Sequence, residues 1–199
     1  MLKRALDVLL SALGLLVLAP LFSMVAIFIK LESPGPVFFR QERVGQRGKP
    51  FRIHKFRSMV ADAENKGMQI TVGVDRRVTR VGAALRKYKL DELPQLIDVF
   101  VGSMSLVGPR PEVPKYVAHY PETLRELVLS VRPGITDRAS IEYKDENVLL
   151  GGSANPENTY IKEVLPVKLR FYAEYVKHRT FLGDLKIILD TMWVIFFRQ

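Results

Sequence analysis

The amino-acid sequence predicts an α/β (α+β) fold, in which an N-terminal membrane helix precedes a compact, mostly helical body with a short β-hairpin and interfacial amphipathic helices. Three patterns predict it: an uncharged apolar run over residues 8–29, alternating apolar and basic residues over 51–56, and apolar residues at helical spacing further along the chain. With 199 residues, 48% of them hydrophobic, the chain is long enough to bury a core in one domain.

The charge and cysteine content narrow the classes of function. A formal net charge of +9 suits an anionic membrane surface, a phosphorylated substrate or nucleic acid. We expect no nucleic acid partner, because no nucleic-acid-binding motif is recognisable and an apolar N-terminal segment would hold the protein at a membrane. The absence of cysteine excludes disulfides, thiolate metal sites and a cysteine nucleophile.

The N-terminal apolar run has the length of a membrane helix. It extends over 22 residues, 8–29, and a helix that crosses a membrane needs about 20. Pro20 removes a backbone donor near the middle of the run, so we expect a bend there. A sharply bent helix would enter the membrane and return, whereas a straight one would cross it. A cleaved signal peptide is a further alternative, which the continuation of the apolar run to residue 29 disfavours. A buried helix of a soluble protein is another, disfavoured because the segment is apolar on all sides.

Basic residues flank the apolar run on both sides. Lys3 and Arg4 precede it, and the cations that follow it are Lys30, Arg40, Arg43 and Arg47. The positive-inside rule therefore places both ends at the cytoplasmic face. We predict a re-entrant membrane helix at residues 1–30, bent near Pro20, and a cytosolic, membrane-associated domain at residues 31–199.

A basic β-hairpin is predicted after the turn at residues 34–36. Gly45 and Gly48 bound its turn, and the alternation in "FRIHKF" gives one core face and one cationic face. The cations could face lipid headgroups, or a subset including Lys55 and Arg57 could bind phosphate. His54 has no nearby histidine or cysteine and is predicted to be structural.

An adjacent acid pair, Asp91 and Glu92, follows a helix predicted over residues 78–90. Asp91 is a good N-cap residue for a second helix, whose apolar stripe ends at Gly102. Helix capping alone would account for such a pair. The cations that precede it in the sequence are Arg86, Lys87 and Lys89.

The chemistry of these neighbours allows a second interpretation of the acid pair. A helix N-terminus together with basic side chains would keep both carboxylates ionised and attract phosphate. An ionised carboxylate in such a place can ligate Mg²⁺ together with a diphosphate, or attack phosphorus as a nucleophile. Either role requires cations that neutralise the negative charge of the diphosphate.

Two rigid turns supply further cations. Arg110 lies between Pro109 and Pro111, and Arg132 precedes a proline in "VRPGIT". Flanking prolines limit the freedom of the backbone, and guanidinium groups bind phosphate with two hydrogen bonds. Phosphate binding and an ordinary surface turn both remain open at this point.

Five motifs occur in order after the apolar segment: "FFRQERVG", "KFRSM", "LDELPQL", "MSLVGPRP" and "VRPGIT". Together they resemble the bacterial sugar transferase family, the small monotopic phosphoglycosyl transferases. The resemblance implies a re-entrant helix and a catalytic domain on the cytoplasmic face of the bacterial inner membrane. It also implies Mg²⁺-dependent transfer of a sugar phosphate from a UDP-sugar to polyprenol phosphate, with release of UMP. This is the first membrane step of exopolysaccharide, O-antigen or other glycan assembly.

The resemblance also assigns roles to residues of this chain. Asp91 is the implied nucleophile, which forms a phosphosugar intermediate and ligates the metal, and Glu92 is its catalytic partner. The implied phosphate-binding residues are Arg86 and Arg110, to which the basic pattern adds Lys55, Arg57 and Arg132. The alternative is a non-enzymatic basic membrane adaptor in which Asp91 only caps a helix.

Several features stay open in the sequence. The family's usual continuation after "PGIT" is replaced by residues 137–140, which leaves the sugar undetermined. Asp145 and Glu146 form a second acid pair, for which we favour a solvated or lid role. The loop predicted at residues 151–160 could close over substrate, and the C-terminal segment with Trp193 is predicted to be an interfacial helix. The exact polyprenol and the oligomeric state, including a possible homodimer, are not determined.

Overall fold

The computed structural model describes residues 2–61, 63, 75–143 and 146–197. Residues 64–74 therefore lie outside the described residues, as does Asp145 of the second acid pair. Within the described ranges the protein is mostly helical, with three two-stranded β-pairs. The predicted combination of an apolar N-terminal helix, a short β-hairpin and a helical body is confirmed.

The N-terminal helix α1 runs from Leu2 to Glu32, and its helical backbone continues through Pro20. Among the described helices it is long and apolar enough to cross a membrane. One face packs against the body and buries Asp7, Ser11, Val25 and Ile29. The opposite face exposes large apolar side chains, which are Leu9, Leu13, Leu16, Val17, Met24, Ile27 and Phe28. The re-entrant course of this helix stays a prediction.

The first turns of α1 are attached to the body by polar contacts. The buried Asp7 carboxylate accepts hydrogen bonds from the Ser105 hydroxyl at 3.1 Å and from the Leu106 backbone N–H at 3.0 Å. Arg4 donates to the carbonyls of Val99 and Phe100 at 2.6 and 2.9 Å. An acidic residue in this apolar helix is therefore paired with the body.

The last turns of α1 are attached to the same body. Val25 and Ile29 pack against Phe56 and Leu85. The Glu32 carboxylate accepts from the first two backbone N–H groups of helix α2 (Arg80–Lys87), at 2.7 and 3.0 Å. A carboxylate is well placed there, because the first N–H groups of a helix lack partners within it.

Four short strands form the predicted basic hairpin region. Strand β1, Phe38–Phe39, pairs antiparallel with β4, Lys55–Phe56, and β2, Glu42–Val44, pairs antiparallel with β3, Pro50–Arg52. A 3₁₀ turn at Gln46–Gly48 connects β2 to β3. Gly45 and Gly48, the glycines predicted to bound this turn, lie at its two ends.

The acid pair lies between two helices rather than at a helix start. Helix α2 is Arg80–Lys87 and α3 is Gln95–Val101, while a 3₁₀ turn at Leu90–Glu92 contains both acids. Helix α3 begins after Pro94 and has no side-chain cap. The prediction that Asp91 is the N-cap of this helix is therefore wrong. Lys89 has a φ of 56°, and this left-handed residue turns the chain before the 3₁₀ turn begins.

A parallel strand pair brings the two Arg-Pro turns together. Strand β5, Ser105–Val107, pairs with β6, Gly134–Thr136. A Cβ atom on Gly134 would lie 2.1 Å from the backbone nitrogen of Gly108, so only glycine permits this approach. The Gly134 N–H donates to the Pro109 carbonyl at 2.9 Å, which joins the turn of Arg110 to the turn of Arg132.

The largest apolar core lies among the C-terminal helices. These helices are α4 (Pro114–Val117), α5 (Glu122–Leu129), α6 (Arg138–Glu142), α7 (Glu146–Gly151), α8 (Pro156–Thr159) and α9 (Leu165–His178), with a π-helical stretch at Tyr160–Val164. Their contact surface buries Tyr160, Leu165, Leu169 and Tyr172. The loop predicted at residues 151–160 is wrong in part. Pro156 at the first turn and Asn155 as N-cap start α8 within it.

The last described helix, α10, is Phe181–Phe197. It buries Asp184 and Ile187 and exposes an apolar stripe of Leu182, Leu185, Leu189, Met192, Trp193 and Phe197. Lys3 at the start of α1 binds Asp184 at 2.6 Å. The beginnings of the two apolar-faced helices are therefore joined. Residence of α10 at a membrane interface stays a prediction.

Candidate active site

Glu92 is the paired acid of the two neighbouring carboxylates. Both of its oxygens accept from the Arg110 guanidinium, the Oε2 oxygen at 3.0 Å. Lys55 Nζ donates to Oε1 at 2.8 Å. Burial would raise the pKa of Glu92, but the charges of Arg110 and then Lys55 hold it well below its ordinary value of 4.5. Glu92 is therefore an ionised acid whose charge is balanced by two cations.

Asp91 is the free acid of the pair. Its side chain is buried, and among the described residues none donates a hydrogen bond to its carboxylate. Burial and the neighbouring charge of Glu92 raise the pKa of Asp91 above its ordinary 3.8, while Lys55, Arg86 and Lys89 oppose the rise. The two acids therefore differ in their partners, because Lys55 and Arg110 bond to Glu92 and leave Asp91 buried beside it without a bonded cation.

Lys55 reaches the acid pair from strand β4. Its side chain is mostly buried, and burial lowers the pKa of the ammonium group, while Glu92 and Asp91 favour its charged form. The structure places Lys55 beside the acid pair, and its phosphate contact stays a prediction. Its Nζ donates a hydrogen bond to Glu92, and its positive charge interacts with both carboxylates.

Arg86 approaches from helix α2. Its Nε donates to the Ser58 hydroxyl at 2.8 Å, and the side chain makes further interactions as well. Burial lowers the pKa of the guanidinium, and the charge of Asp91 opposes that shift. The charges of Lys55 and Arg86 thus both act on the unbonded Asp91 carboxylate.

Arg110 reaches the acids from the proline-framed turn. The turn is fixed on one side by Gly134, whose N–H binds the Pro109 carbonyl, and on the other by Arg43, which donates to the Pro111 carbonyl at 3.0 Å. The ionic contact with Glu92 raises the pKa of Arg110 well above its ordinary value. The rigid turn predicted from its prolines presents this guanidinium directly to Glu92.

Arg57 lies apart from these contacts. Its guanidinium donates to the carbonyls of Ile29, Ser33 and Pro34 at 3.3, 2.6 and 2.7 Å. These are the last carbonyls of α1 and the turn after it, and a buried arginine satisfies them. The structure gives Arg57 a position at the end of α1, and its phosphate contact stays a prediction.

Arg132 lies at the far end of helix α3 from the acid pair. Its Nε donates at 2.8 Å to the carbonyl of Gly102, the residue that ends α3, whereas Asp91 and Glu92 precede the start of that helix. The structure therefore brings Lys55, Arg86 and Arg110 together at the acids and leaves Arg132 elsewhere.

The site also contains a pair that the sequence did not suggest. Asp98 is buried on the same side of α3 as Gln95, and its carboxylate accepts from the His54 backbone N–H and contacts His54 Nδ1, both at 2.8 Å. This pair ties strand β4, which carries Lys55, to α3. The spacing of Asp98 seven residues after Asp91, or about two helical turns, was the available signal. These contacts agree with the structural role predicted for His54.

The donor set would suit a magnesium ion that is held by one carboxylate together with substrate phosphates. Within the described part of the chain, no three acidic, histidine or cysteine side chains form a cluster that could hold a metal. Mg²⁺ is commonly held by one or two carboxylates and substrate phosphates. Asp91, whose carboxylate has no bonded cation, fits the single carboxylate of such a site, and Glu92 is already bonded to Arg110 and Lys55.

Comparison with known proteins gives consistent results over the whole chain. The family model of the bacterial sugar transferases matches residues 1–198. A UDP-N-acetylgalactosamine-undecaprenyl-phosphate N-acetylgalactosaminephosphotransferase of Aeromonas hydrophila is 39% identical over 97% of this chain and 43% of its own length. A UDP-glucose:undecaprenyl-phosphate glucose-1-phosphate transferase of Escherichia coli K12 is 38% identical over 97% of this chain and 40% of its own length.

A shorter relative matches along nearly its entire length. The exopolysaccharide production protein PSS of Rhizobium leguminosarum bv. phaseoli is 39% identical over 96% of this chain and 93% of its own length. By contrast, the chain spans only 43% and 40% of the first two relatives. The family match over residues 1–198, together with the ordered motifs and the acid pair among its cations, shows that the chain belongs to the bacterial sugar transferase family.

Proposed function

We propose that the protein transfers a sugar phosphate from a UDP-sugar to polyprenol phosphate through a covalent intermediate on Asp91. The observation that carries this proposal is the asymmetry of the acid pair. Glu92 is bonded to two cations, whereas the buried Asp91 carboxylate has no hydrogen-bond donor among the described residues. A nucleophile must have an accessible lone pair, and its neighbours must carry charges that accept an anionic substrate.

The proposed reaction proceeds in two displacements. An Asp91 oxygen attacks the phosphorus that bears the sugar, the bond from that phosphorus to the bridging oxygen breaks, and UMP leaves with the electron pair. An oxygen of polyprenol phosphate then attacks the same phosphorus and breaks its bond to Asp91. The products are polyprenyl-diphosphate-sugar and the regenerated carboxylate. Two smaller steps replace one transfer between two large anions.

Each neighbouring residue has a role in this scheme. Lys55 and Arg86 are the cations that most oppose the rise in the pKa of Asp91, and they would neutralise the phosphates that approach it. Arg110 would exchange part of its contact with Glu92 for a phosphate oxygen, because a guanidinium has five N–H donors. Bound with the diphosphate, Mg²⁺ would supply further charge neutralisation, and Asp91 is the side chain that would hold it.

Support for a re-entrant membrane helix comes from the contacts of α1. Both of its ends are attached to one body, through Asp7 and Arg4 at the start and through Glu32 near the end. A straight span would carry one end to the other side of the membrane. Since the outward face of α1 is apolar, we place this face in the cytoplasmic leaflet of the bacterial inner membrane.

Helix α10 completes the proposed membrane surface. Its outward stripe includes Leu182, Leu189 and Trp193, which are 74%, 60% and 62% exposed. The Lys3–Asp184 contact joins this helix to the start of α1. A contiguous apolar surface of this kind is typical of a protein–membrane contact. The acids would then lie on a body held at the depth of lipid phosphates.

The test is release of UMP from a panel of nucleotide sugars with Mg²⁺ and polyprenol phosphate in lipid nanodiscs. The names of the relatives differ in the sugar, so the panel must include UDP-glucose and UDP-N-acetylgalactosamine. We expect UMP release with at least one donor, and a sugar-labelled protein when acceptor is omitted. Asp91→Asn should abolish both signals. Full turnover by Asp91→Asn would remove Asp91 as nucleophile, and turnover without labelling would indicate single displacement.

A further inference from the structure

A buried group of charges lies directly behind the turn that carries Arg110. Its centre is the Glu112 carboxylate, which is 7% exposed. Oε1 accepts a hydrogen bond from the Tyr160 hydroxyl and lies 4.0 Å from Lys168 Nζ, and Oε2 lies 3.9 Å from an Arg43 terminal nitrogen. These partners come from three separate elements: β2, the π-helical stretch and α9.

Strand β2, which carries Arg43, also holds the backbone of the turn. Arg43 donates to the Pro111 carbonyl at 3.0 Å, and the Val44 N–H donates to the Glu112 carbonyl at 2.9 Å. The backbone on the C-terminal side of Arg110 is therefore fixed by strand β2, while the side chain of Glu112 is fixed by the helices. Small movements of Glu112 would be transmitted to the guanidinium two residues away, because the two prolines leave the turn few alternative conformations.

Lys168 extends this group to the start of helix α7. It is 4% exposed, its Nζ binds the Glu146 carboxylate at 2.6 Å, and it lies 5.1 Å from the centre of the Tyr160 ring. Buried ion pairs add little net stability compared with apolar packing of the same volume, because each charge loses its hydration. Stability alone is therefore a weak reason for two buried cations and a buried carboxylate at this turn.

We propose that Glu112, Tyr160 and Lys168 are positioning residues that hold Arg110 in its two-pronged contact with Glu92. Through Glu146, the start of α7 belongs to the same network. The consequence for turnover rests on the proposed transferase function. The consequence for the placement of Arg110 does not, and it is tested separately.

Chemical modification measures the placement of Arg110 without any turnover. The full chain in nanodiscs is treated with an arginine-selective dicarbonyl, and the modification rate of each arginine is followed by peptide mass spectrometry. Tyr160→Phe removes one hydroxyl and keeps the ring against Tyr116, whose centroid lies 4.8 Å away. We expect Arg110 to react about three- to tenfold faster in this variant, the range of a net hydrogen bond.

Arg57 provides the internal control in the same experiment. It is buried at the end of α1 and hydrogen-bonded there, so its reactivity reports general loosening of the fold. We expect its rate to be unchanged. Equal acceleration of Arg57 and Arg110, or no acceleration of either, overturns the proposal. Glu112→Gln provides a second variant with the same expected pattern and a larger effect, because it also removes the charge facing Lys168.

A double-mutant cycle tests the consequence for catalysis. Arg110→Lys keeps a positive charge and loses the two-pronged geometry. We expect Tyr160→Phe to lower kcat/KM for UMP release about three- to tenfold in the parent chain and to have no further effect in Arg110→Lys, because the two residues act through one contact. Additive losses would overturn the positioning role.

Asp75→Asn is the matched control for that cycle. Asp75 is also mostly buried and ion-paired, with Arg77 at 2.6 Å, and its hydrogen bonds go to Arg77 rather than to the Arg110 turn. Its effect should add to that of Arg110→Lys. A parent chain that released no UMP with any donor would contradict the proposed function, while the reactivity of Arg110 would still decide the positioning role.

Discussion

Arg110 and Glu92 form a two-pronged ion pair in which each terminal guanidinium nitrogen donates to a different carboxylate oxygen. Lys55 adds a third hydrogen bond to the same carboxylate at 2.8 Å. The pair has two consequences. It balances the charge of the Glu92 carboxylate, and it fixes the Arg110 guanidinium beside the acid pair. The neighbouring Asp91 is left as the acid without a bonded cation.

Replacing Asp91 should stabilise the protein while it abolishes activity. Burial and Glu92 raise the pKa of Asp91 above 3.8, so its ionised form is less favourable in the folded chain than in the unfolded chain. This cost is present at neutral pH and disappears as the pH falls below the unfolded value. Asp91→Asn should therefore raise Tm at neutral pH, by about 2–4 °C for each kcal/mol gained.

The measurement is thermal unfolding at several pH values. The gain in Tm should vanish below the ordinary aspartate pKa of 3.8, where Asp91 is neutral in both states. Glu126→Gln, which changes an exposed acid on α5, should leave Tm unchanged throughout. A lower Tm for Asp91→Asn at neutral pH would contradict the conclusion that the ionised form of Asp91 is unfavourable in the folded chain.

Replacing Glu92 should have the opposite effect on stability. Glu92→Gln leaves Lys55 and Arg110 partly buried without their counter-ion, a change that typically costs about 3–5 kcal/mol. The pKa of Glu92 in the folded chain is held well below 4.5. The stability that the ionised carboxylate contributes is therefore fully present above pH 4.5, and it is lost as the pH falls through the lower pKa of the folded chain. Chemical denaturation of the parent protein and of Glu92→Gln, at neutral and at acidic pH, measures this difference in stability. Equal stability of the two proteins at neutral pH would contradict the prediction.

Lys55 should control the acid side of the pH profile for formation of the labelled protein. Asp91 must be ionised to attack, so the rate falls as the pH falls through its raised pKa. The charge of Lys55 lowers that pKa, and Lys55→Met should therefore move the midpoint to higher pH. Lys49→Met changes an exposed cation on the same hairpin and should leave the midpoint in place. An unchanged midpoint in Lys55→Met would contradict the assignment.

The close approach of β5 and β6 should tolerate no side chain at residue 134. A Cβ atom there would lie 2.1 Å from Gly108 N and 2.5 Å from Gly108 O, and backbone atoms of paired strands cannot move apart cheaply. Gly134→Ala should lower the free energy of unfolding by about 3 kcal/mol or more, the upper range for overpacking. Gly152→Ala, where the nearest atom is 3.8 Å away, is the matched control with little expected effect.

Single cysteines at positions 2 and 31 should report the course of α1. Leu2 and Leu31 are 66% and 78% exposed, and the chain has no other cysteine. In inverted inner-membrane vesicles, whose outer surface is the cytoplasmic face, a membrane-impermeant thiol reagent should label both positions. Labelling of only one position would mean that α1 crosses the membrane, and it would overturn the re-entrant course.

Local sequence patterns were sufficient to predict much of the fold. The uncharged run predicted α1, the alternation in "FRIHKF" predicted the hairpin, and the ordered motifs indicated the family before any comparison. Prediction failed where several weak preferences compete over a few residues. Asp91 has the side chain of a good N-cap, yet the left-handed Lys89 and a 3₁₀ turn place the start of α3 four residues later.

By itself the sequence determined which residue types are available to the site: two adjacent acids, rigid Arg-Pro turns and a basic hairpin. Only the tertiary structure decided which cation meets which acid. Arg110 and Lys55 lie 18 and 37 positions from Glu92, while Arg57 and Arg132, from the same two basic regions, bond to carbonyls at helix ends. Ion pairing depends on distances of a few ångströms, and those are set by strand pairing and turn geometry rather than by proximity along the chain.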